Sequence, residues 1–272
     1  MGKNEIKRSN DDYLNYVLPK SYEILDIKKH TKTEWTFKVA FDKEVKPGQF
    51  LQVSLAKIGE APISVSGMGE GFVEMTIRNV GEVTSKLFES TPGDNIFLRG
   101  PYGNGWPIDK LKGKNVVVVA GGTGVSPVKG LIEYIKENPS EFENLHLILG
   151  FKNHDSVLFK ENLEDWKNQE KIRAVYSLDN EEKEGFKKGM VTAFIPDLPI
   201  KSFEDNYAVV MVGPPIMMKF TSLALIKEGV TEDKIWTSRG TLGMHTQRST
   251  MWWHSEKLPS MKQEKGPHQM PN

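Results

Sequence analysis

The sequence predicts an antiparallel β-barrel followed by an α/β domain built on a parallel sheet. Three observations carry this reading. From Ser21 to Arg99, apolar residues recur at alternate positions in short runs, such as "TEWTFKVAF", "GQFLQVSL", "FVEMTIRNV" and "DNIFLRG". Turn sequences separate the runs: Lys46-Pro47-Gly48, Gly67-Met68-Gly69 and Thr91-Pro92-Gly93-Asp94. After "GPYGNGWP" (Gly100–Pro107) continuous apolar runs alternate with helical patterns instead. Short period-two strands at close spacing suit a barrel or sandwich. Apolar strands alternating with helices suit a parallel sheet covered on both faces.

In chain order, residues 1–19 are polar and read as an extension. Residues 20–107 read as the barrel, interrupted by a helix at Thr84–Glu89 that opens beside Gly81. Residues 108–238 read as the α/β domain. There "NVVVVAG" leads to "VSPVKGLIEYIKEN", and "LHLILGF" leads to "SVLFKENLEDWKNQ". "IRAVYSL" follows, and "YAVVMVG" leads to "PPIMMKFTSLALIKEG". Residues 239–272 contain no Val, Ile, Ala, Phe or Tyr, and their large aromatics are Trp252 and Trp253. No periodicity runs through them, so a poorly ordered tail is expected.

Composition excludes several function classes. Lys plus Arg and Asp plus Glu both number 36 in the 272 residues. A balanced chain lacks the basic excess of a nucleic-acid or anionic-membrane binder. No apolar run approaches the roughly 20 residues of a membrane span. The N-terminus lacks the apolar core of a signal peptide, so a cytoplasmic protein is expected. There is no cysteine. Disulfides, thiolate metal sites and thiol nucleophiles are therefore out of reach.

The chemistry-bearing motifs are glycine turns at strand ends. Gly121, Gly122, Thr123 and Gly124 stand where a strand meets a helix. Glycines let backbone approach a ligand, and a helix N-terminus offers free N–H groups to an anion such as a dinucleotide pyrophosphate. The match to G-x-G-x-x-G is partial, since Pro127 takes the third glycine position, and a tight strand–helix connection explains the turn equally well. A second turn at Gly213, Pro214 and Pro215 repeats the design before another helix. Met217 and Met218 follow it, and core packing is the preferred reading for Met218. In the barrel, "GEAPISVSG" (Gly59–Gly67) carries Ser64 and Ser66, and "TIRNVGEVTSKL" (Thr76–Leu87) carries Arg78 and Thr84. A cation beside a helix start makes a phosphate site. An N-cap at Thr84 with a surface Arg78 is the alternative. Lys152 reads as a solvated surface lysine.

The order of these motifs resembles the ferredoxin–NADP reductase superfamily: P-G-Q-F, P-I-S, R-x-V-G-x-x-T, G-P-Y-G-N-G, A-G-G-T-G and G-P-P-x-M-M. "GEAPISVSG", "LRGPYGNG", "VVAGGTGVSPVKG" and "VGPPIMMKF" look most like anaerobic sulfite reductase B subunits. Electron-transfer subunits of dihydroorotate dehydrogenase and gamma subunits of sulfhydrogenase are similar relatives. The resemblance covers about Leu18 to Ser238. It implies FAD on the barrel, against Pro62, Ile63, Ser64 and Val65 in one segment and Thr76, Ile77, Arg78, Val83 and Thr84 in another. It implies NADH or NADPH on Gly121, Gly122, Thr123 and Gly124, with Gly213, Pro214, Pro215 and Met217 closing over the nicotinamide. A hydride passed between stacked rings requires no side-chain acid or base, so no catalytic side chain is assigned.

The implied partners are iron–sulfur and sirohaem subunits of a reductase complex. The same module serving dihydroorotate dehydrogenase or a hydrogenase is an alternative, as is a nucleotide-binding remnant without flavin. Two departures favour the remnant. The superfamily's flavin motif R-x-Y-S falls on Ala61-Pro62-Ile63-Ser64, so its arginine and tyrosine are replaced. Relatives also carry a C-terminal [2Fe–2S] motif. Here the match ends after "DKIWTS" (Asp233–Ser238), and the rest offers no cysteine ligand. The abrupt change predicts a shifted reading frame beyond Ser238.

Overall fold

The computed structural model describes residues 18–238 and 255–257. The polar extension, up to residue 17, and the expected poorly ordered tail, apart from 255–257, lie outside the described residues.

The barrel is closed, in the order β1-β2-β5-β4-β3-β6. Its strands are β1 (Lys20–Lys29), β2 (Glu34–Ala40), β3 (Phe50–Leu55), β4 (Gly59–Gly69), β5 (Phe72–Arg78) and β6 (Asn95–Tyr102). All its pairings are antiparallel. Alternation does the sorting. Along β5, Val73, Met75 and Ile77 enter the core with Ile24, Phe37, Leu51, Val65 and Leu98. Glu74 and Thr76, at the intervening positions, face outward and are half-buried. Helix α1 (Glu82–Leu87) lies between β5 and β6. It starts at Glu82, ahead of the expected Thr84, because Gly81 is its N-cap.

A short helix, α2 (Ile108–Leu111), leads into a seven-stranded sheet ordered β10-β9-β8-β7-β11-β12-β13. Its strands are β7 (Asn115–Gly121), β8 (Asn144–Phe151), β9 (Ile172–Leu178), β10 (Lys187–Lys188), β11 (Tyr207–Val212), β12 (Ile235–Ser238) and β13 (Ser255–Lys257). Pairing is parallel except that β13 runs antiparallel to β12. Both faces are covered, as continuous valine runs require. Val116, Val118 and Ala120 pack in one layer with α3 (Val125–Glu137) and α4 (Lys160–Lys167). Val117 and Val119 pack in the other with Val191, Ile195 and Leu225, the last on α5 (Pro215–Lys227).

Only part of "SVLFKENLEDWKNQ" becomes helix. Val157, Leu158 and Phe159 precede α4 as a fully buried non-helical stretch. The connection between domains is pinned, since Trp106 Nε1 donates to the Pro127 carbonyl at 2.9 Å.

Candidate functional site

β7 and β11 are neighbours, and the connections leaving them run in opposite directions along the sheet, to β8 and to β12. This reversal is where open α/β sheets bind ligands, outside the carboxyl ends of the strands. Both glycine turns stand there. β7 ends at Gly121 and β11 at Val212, with Ala120 paired to Val212. The turns are packed backbone to backbone: a Cβ on Gly124 would stand 2.6 Å from the Val212 carbonyl oxygen and 2.9 Å from Gly213 Cα. Gly122 has φ +56°, a left-handed conformation that glycine adopts at least cost. Met217 presses its sulfur against both turns, at 2.7 Å from the position a Gly213 Cβ would take. Met217 and Met218 are both half-buried against the apolar layer under α5, and for Met218 this is the core packing expected. Thr123 is half-buried, while Pro214 and Pro215 are exposed at the start of α5.

One residue absent from the sequence-based set belongs here. Ser126, in the first turn of α3, is 3% exposed, and its hydroxyl has no partner among the described residues. A buried unpaired hydroxyl costs free energy unless a ligand or water satisfies it. It adds a donor to the free N–H groups that a helix start already presents. The signal available in the sequence was a serine directly after the glycine turn, which the partial G-x-G-x-x-G match did not reach.

On the barrel side, Pro62, Ile63 and Ser64 are half-buried along β4. Val65 differs: its side chain lies in the barrel core and its N–H donates to the Gln49 carbonyl at 3.0 Å. Ile77 likewise points into the core, and the Thr76 hydroxyl is occupied by other hydroxyls. Arg78 keeps 52% of its side chain exposed and pairs with Glu34 at 3.1 Å. Val83 reaches β4, with its Cγ2 3.5 Å from where a Gly59 Cβ would be. The two barrel segments therefore meet.

Thr84 is neither the N-cap nor a hydroxyl open to a phosphate. Its Oγ1 accepts the Val80 N–H at 3.0 Å and the Gly81 N–H at 2.9 Å, and donates to the Gly81 carbonyl at 2.9 Å. The glycine N-cap has no side chain, so the third helical residue satisfies the turn instead. Lys152 is exposed, as expected.

A cavity of about 770 Å³ lies elsewhere, between Lys46 and Pro47 of the barrel and Lys129, Gly130 and Tyr134 of α3. None of the residues that the resemblance sets against a cofactor lines it. Lys129 Nζ pairs there with Glu74 at 3.1 Å.

Comparison with known proteins agrees with this geometry. Residues 118–223 match the family described as "Oxidoreductase NAD-binding domain". Sulfhydrogenase 1 subunit gamma of Pyrococcus furiosus is 32% identical over 246 residues, covering 86% of this chain and 82% of that protein. A probable dihydroorotate dehydrogenase B (NAD(+)) electron transfer subunit of Methanocella arvoryzae is 31% identical over 216 residues, covering 78% and 75%. In fold, the chain is similar to a ferredoxin NADP+ reductase from Neisseria gonorrhoeae solved with bound FAD and NADP. The TM-score is 0.70 at 19% identity, over 81% of this chain and 98% of that one. The chain has a ferredoxin–NADP reductase-like fold and belongs to the family of the sulfhydrogenase gamma subunits and the dihydroorotate dehydrogenase electron-transfer subunits.

Proposed function

We propose that this oxidoreductase is the electron-transfer subunit of a reductase complex, taking hydride from NADH or NADPH to FAD and passing electrons to partner subunits. The observation that carries the reading is the meeting of two glycine turns at the sheet's reversal point, with the orphaned Ser126 hydroxyl beside them. That donor set fits a dinucleotide: small residues for close approach, a helix start for the pyrophosphate, and a buried hydroxyl in want of a partner. Gly121, Gly122, Thr123, Gly124 and Ser126 would hold the phosphates, and Gly213, Pro214, Pro215 and Met217 the nicotinamide end.

The barrel residues fit a flavin less fully. Pro62, Ile63 and Ser64 offer a half-buried strand for its ring, with Val83 beside the same strand and Arg78 as the exposed cation. Ala61 and Ile63 supply neither a charge nor an aromatic stack, so backbone contacts along β4 would do that work. FAD when bound accepts a hydride and releases electrons singly. The protein's part is to hold two faces together and exclude water. The sequence has no cysteine. Its 272 residues therefore supply no thiolate ligands for the family's [2Fe–2S] cluster, and the onward path leads to cofactors held by partner subunits.

The partner complex we assign is an anaerobic sulfite reductase, with iron–sulfur and sirohaem subunits, on the wording of "GEAPISVSG" and "VGPPIMMKF". The named relatives feed hydrogenase and dihydroorotate dehydrogenase complexes, which are the competing partners. The test is a visible absorption spectrum of the purified protein before and after anaerobic NADH. Flavin bands that bleach support the reading, whereas a colourless protein leaves only a nucleotide-binding remnant.

A further inference from the structure

One set of groups that joins barrel to sheet forms a closed circuit. The Phe159 N–H donates to His30 Nδ1 at 3.4 Å, and His30 Nε2 lies 2.7 Å from Thr36 Oγ1. Thr36 Oγ1 is 2.6 Å from Thr76 Oγ1, whose hydroxyl donates to Ser66 Oγ at 2.9 Å. Ser66 donates to the Glu74 carbonyl at 3.2 Å. The Glu74 carboxylate pairs with Lys129 Nζ at 3.1 Å. Lys129 Nζ stands 5.6 Å from the centroid of the Phe159 ring, and that ring meets His30 edge-on at 4.8 Å.

The circuit has one direction. A backbone N–H only donates, so His30 Nδ1 is an acceptor and the ring proton sits on Nε2. His30 then donates to Thr36, Thr36 to Thr76, Thr76 to Ser66, and Ser66 to Glu74, each hydroxyl passing on its single proton. Phe159 is bent to meet it, with φ +56° on a residue that is 2% exposed. A buried aromatic persists in that left-handed region only where its surroundings fix it.

The circuit also ties the two cofactor regions together. Ser66 lies on β4 just beyond Ser64, and Thr76 lies on β5 just before Arg78. Lys129 is on α3, whose N-cap is Gly124. Lys129 is 8% exposed, and a buried lysine needs a fixed partner.

We propose that this circuit is a latch that sets the spacing between the flavin face of the barrel and the glycine turns of the sheet, with Lys129 and His30 as positioning residues for electron transfer. It rests on the two-site reading above. Hydride transfer is steep in donor–acceptor distance, so a small loosening is costly in rate.

The first test needs no cofactor. Nitrogen-15 NMR of the histidine rings at neutral pH should show His30 as the Nε2–H tautomer, and an Nδ1–H or rapidly averaging ring overturns the circuit. The second uses Lys129→Met, which keeps the aliphatic stem, and Glu74→Gln, which keeps the shape. With flavin bound, both should slow flavin bleaching by NADH about tenfold, while NADH affinity shifts less than about twofold. Lys129→Arg should restore the rate. Unchanged bleaching overturns the positioning role. If the protein carries no flavin, the functional reading falls separately. Hydrogen exchange at the Phe159 amide then decides the latch: protection lost in Lys129→Met supports it, and protection kept overturns it.

Discussion

At single residues, the site separates backbone constraint from ligand contact. Gly122→Ala puts a Cβ into open space at φ +56°, so its cost is the left-handed conformation alone, about 1 kcal/mol. Gly124→Ala drives a Cβ into the Val212 carbonyl at 2.6 Å, where only backbone can yield. Overpacking of that kind costs about 1–3 kcal/mol. Urea denaturation should rank Gly124→Ala below Gly122→Ala. Ser126→Ala should behave oppositely. It removes a buried hydroxyl that has no partner, so the urea midpoint should hold or rise. NADH affinity should fall about fivefold, the worth of one net hydrogen bond of about 1 kcal/mol. Calorimetric titration checks it, and unchanged affinity would remove Ser126 from the site. The glycines were legible because only their type suits a strand-end turn. Ser126 was not, because serine is common at helix starts, and only its burial without a partner distinguishes it.

Among the elements, strands were read most reliably, since alternating and continuous apolar runs are direct images of one-sided and two-sided burial. Helix starts were read less well, and Thr84 shows why. A threonine beside a glycine reads as an N-cap, yet Gly81 takes that position and Thr84 satisfies the turn from inside the helix. Thr84→Val should therefore cost about 1 kcal/mol of stability, as loss of a cap does, with flavin content unchanged. Flavin loss at unchanged stability would instead place that hydroxyl on the cofactor. The stretch Val157–Phe159 was misread for a related reason. Its apolar residues continue the helical pattern of α4, but all three are buried in the apolar layer of the sheet, and Phe159 also meets His30, which lies far away in sequence. The meeting of the two glycine turns follows from the resemblance, which sets both on one nucleotide, and not from any local pattern, because it depends on β11 crossing to the far side of β7.

Across the whole molecule, acid should weaken the fold in two separable windows. His30 is held down at about 4, chiefly by burial, then by Lys28 and Lys129, against the opposing pull of Glu74 and Glu161. His146 on β8 is also held at about 4, by burial and then by Arg173, with its ring 5.1 Å from that of Phe203. An unfolded histidine takes its proton near 6.5. Between pH 6.5 and about 4 the unfolded chain thus binds more protons than the native one, so stability falls as pH falls through that window. Carboxylates shifted downward by their partners, such as Glu60 and Asp165, act later. Their contribution is present above the unfolded carboxylate range and is lost as pH drops below it. Urea midpoints measured from pH 7 to pH 3 should show both declines. His146→Phe should flatten the upper one in part, since the aromatic contact survives while the proton site is gone. The remaining slope belongs to His30, whose Nδ1 loses its acceptor role when protonated and then faces the Phe159 N–H as a second donor. The upper window should therefore coincide with a falling hydrogen-exchange protection factor at Phe159, taken against the intrinsic amide rate at each pH, and a protection factor there that ignores pH would separate His30 from the domain contact.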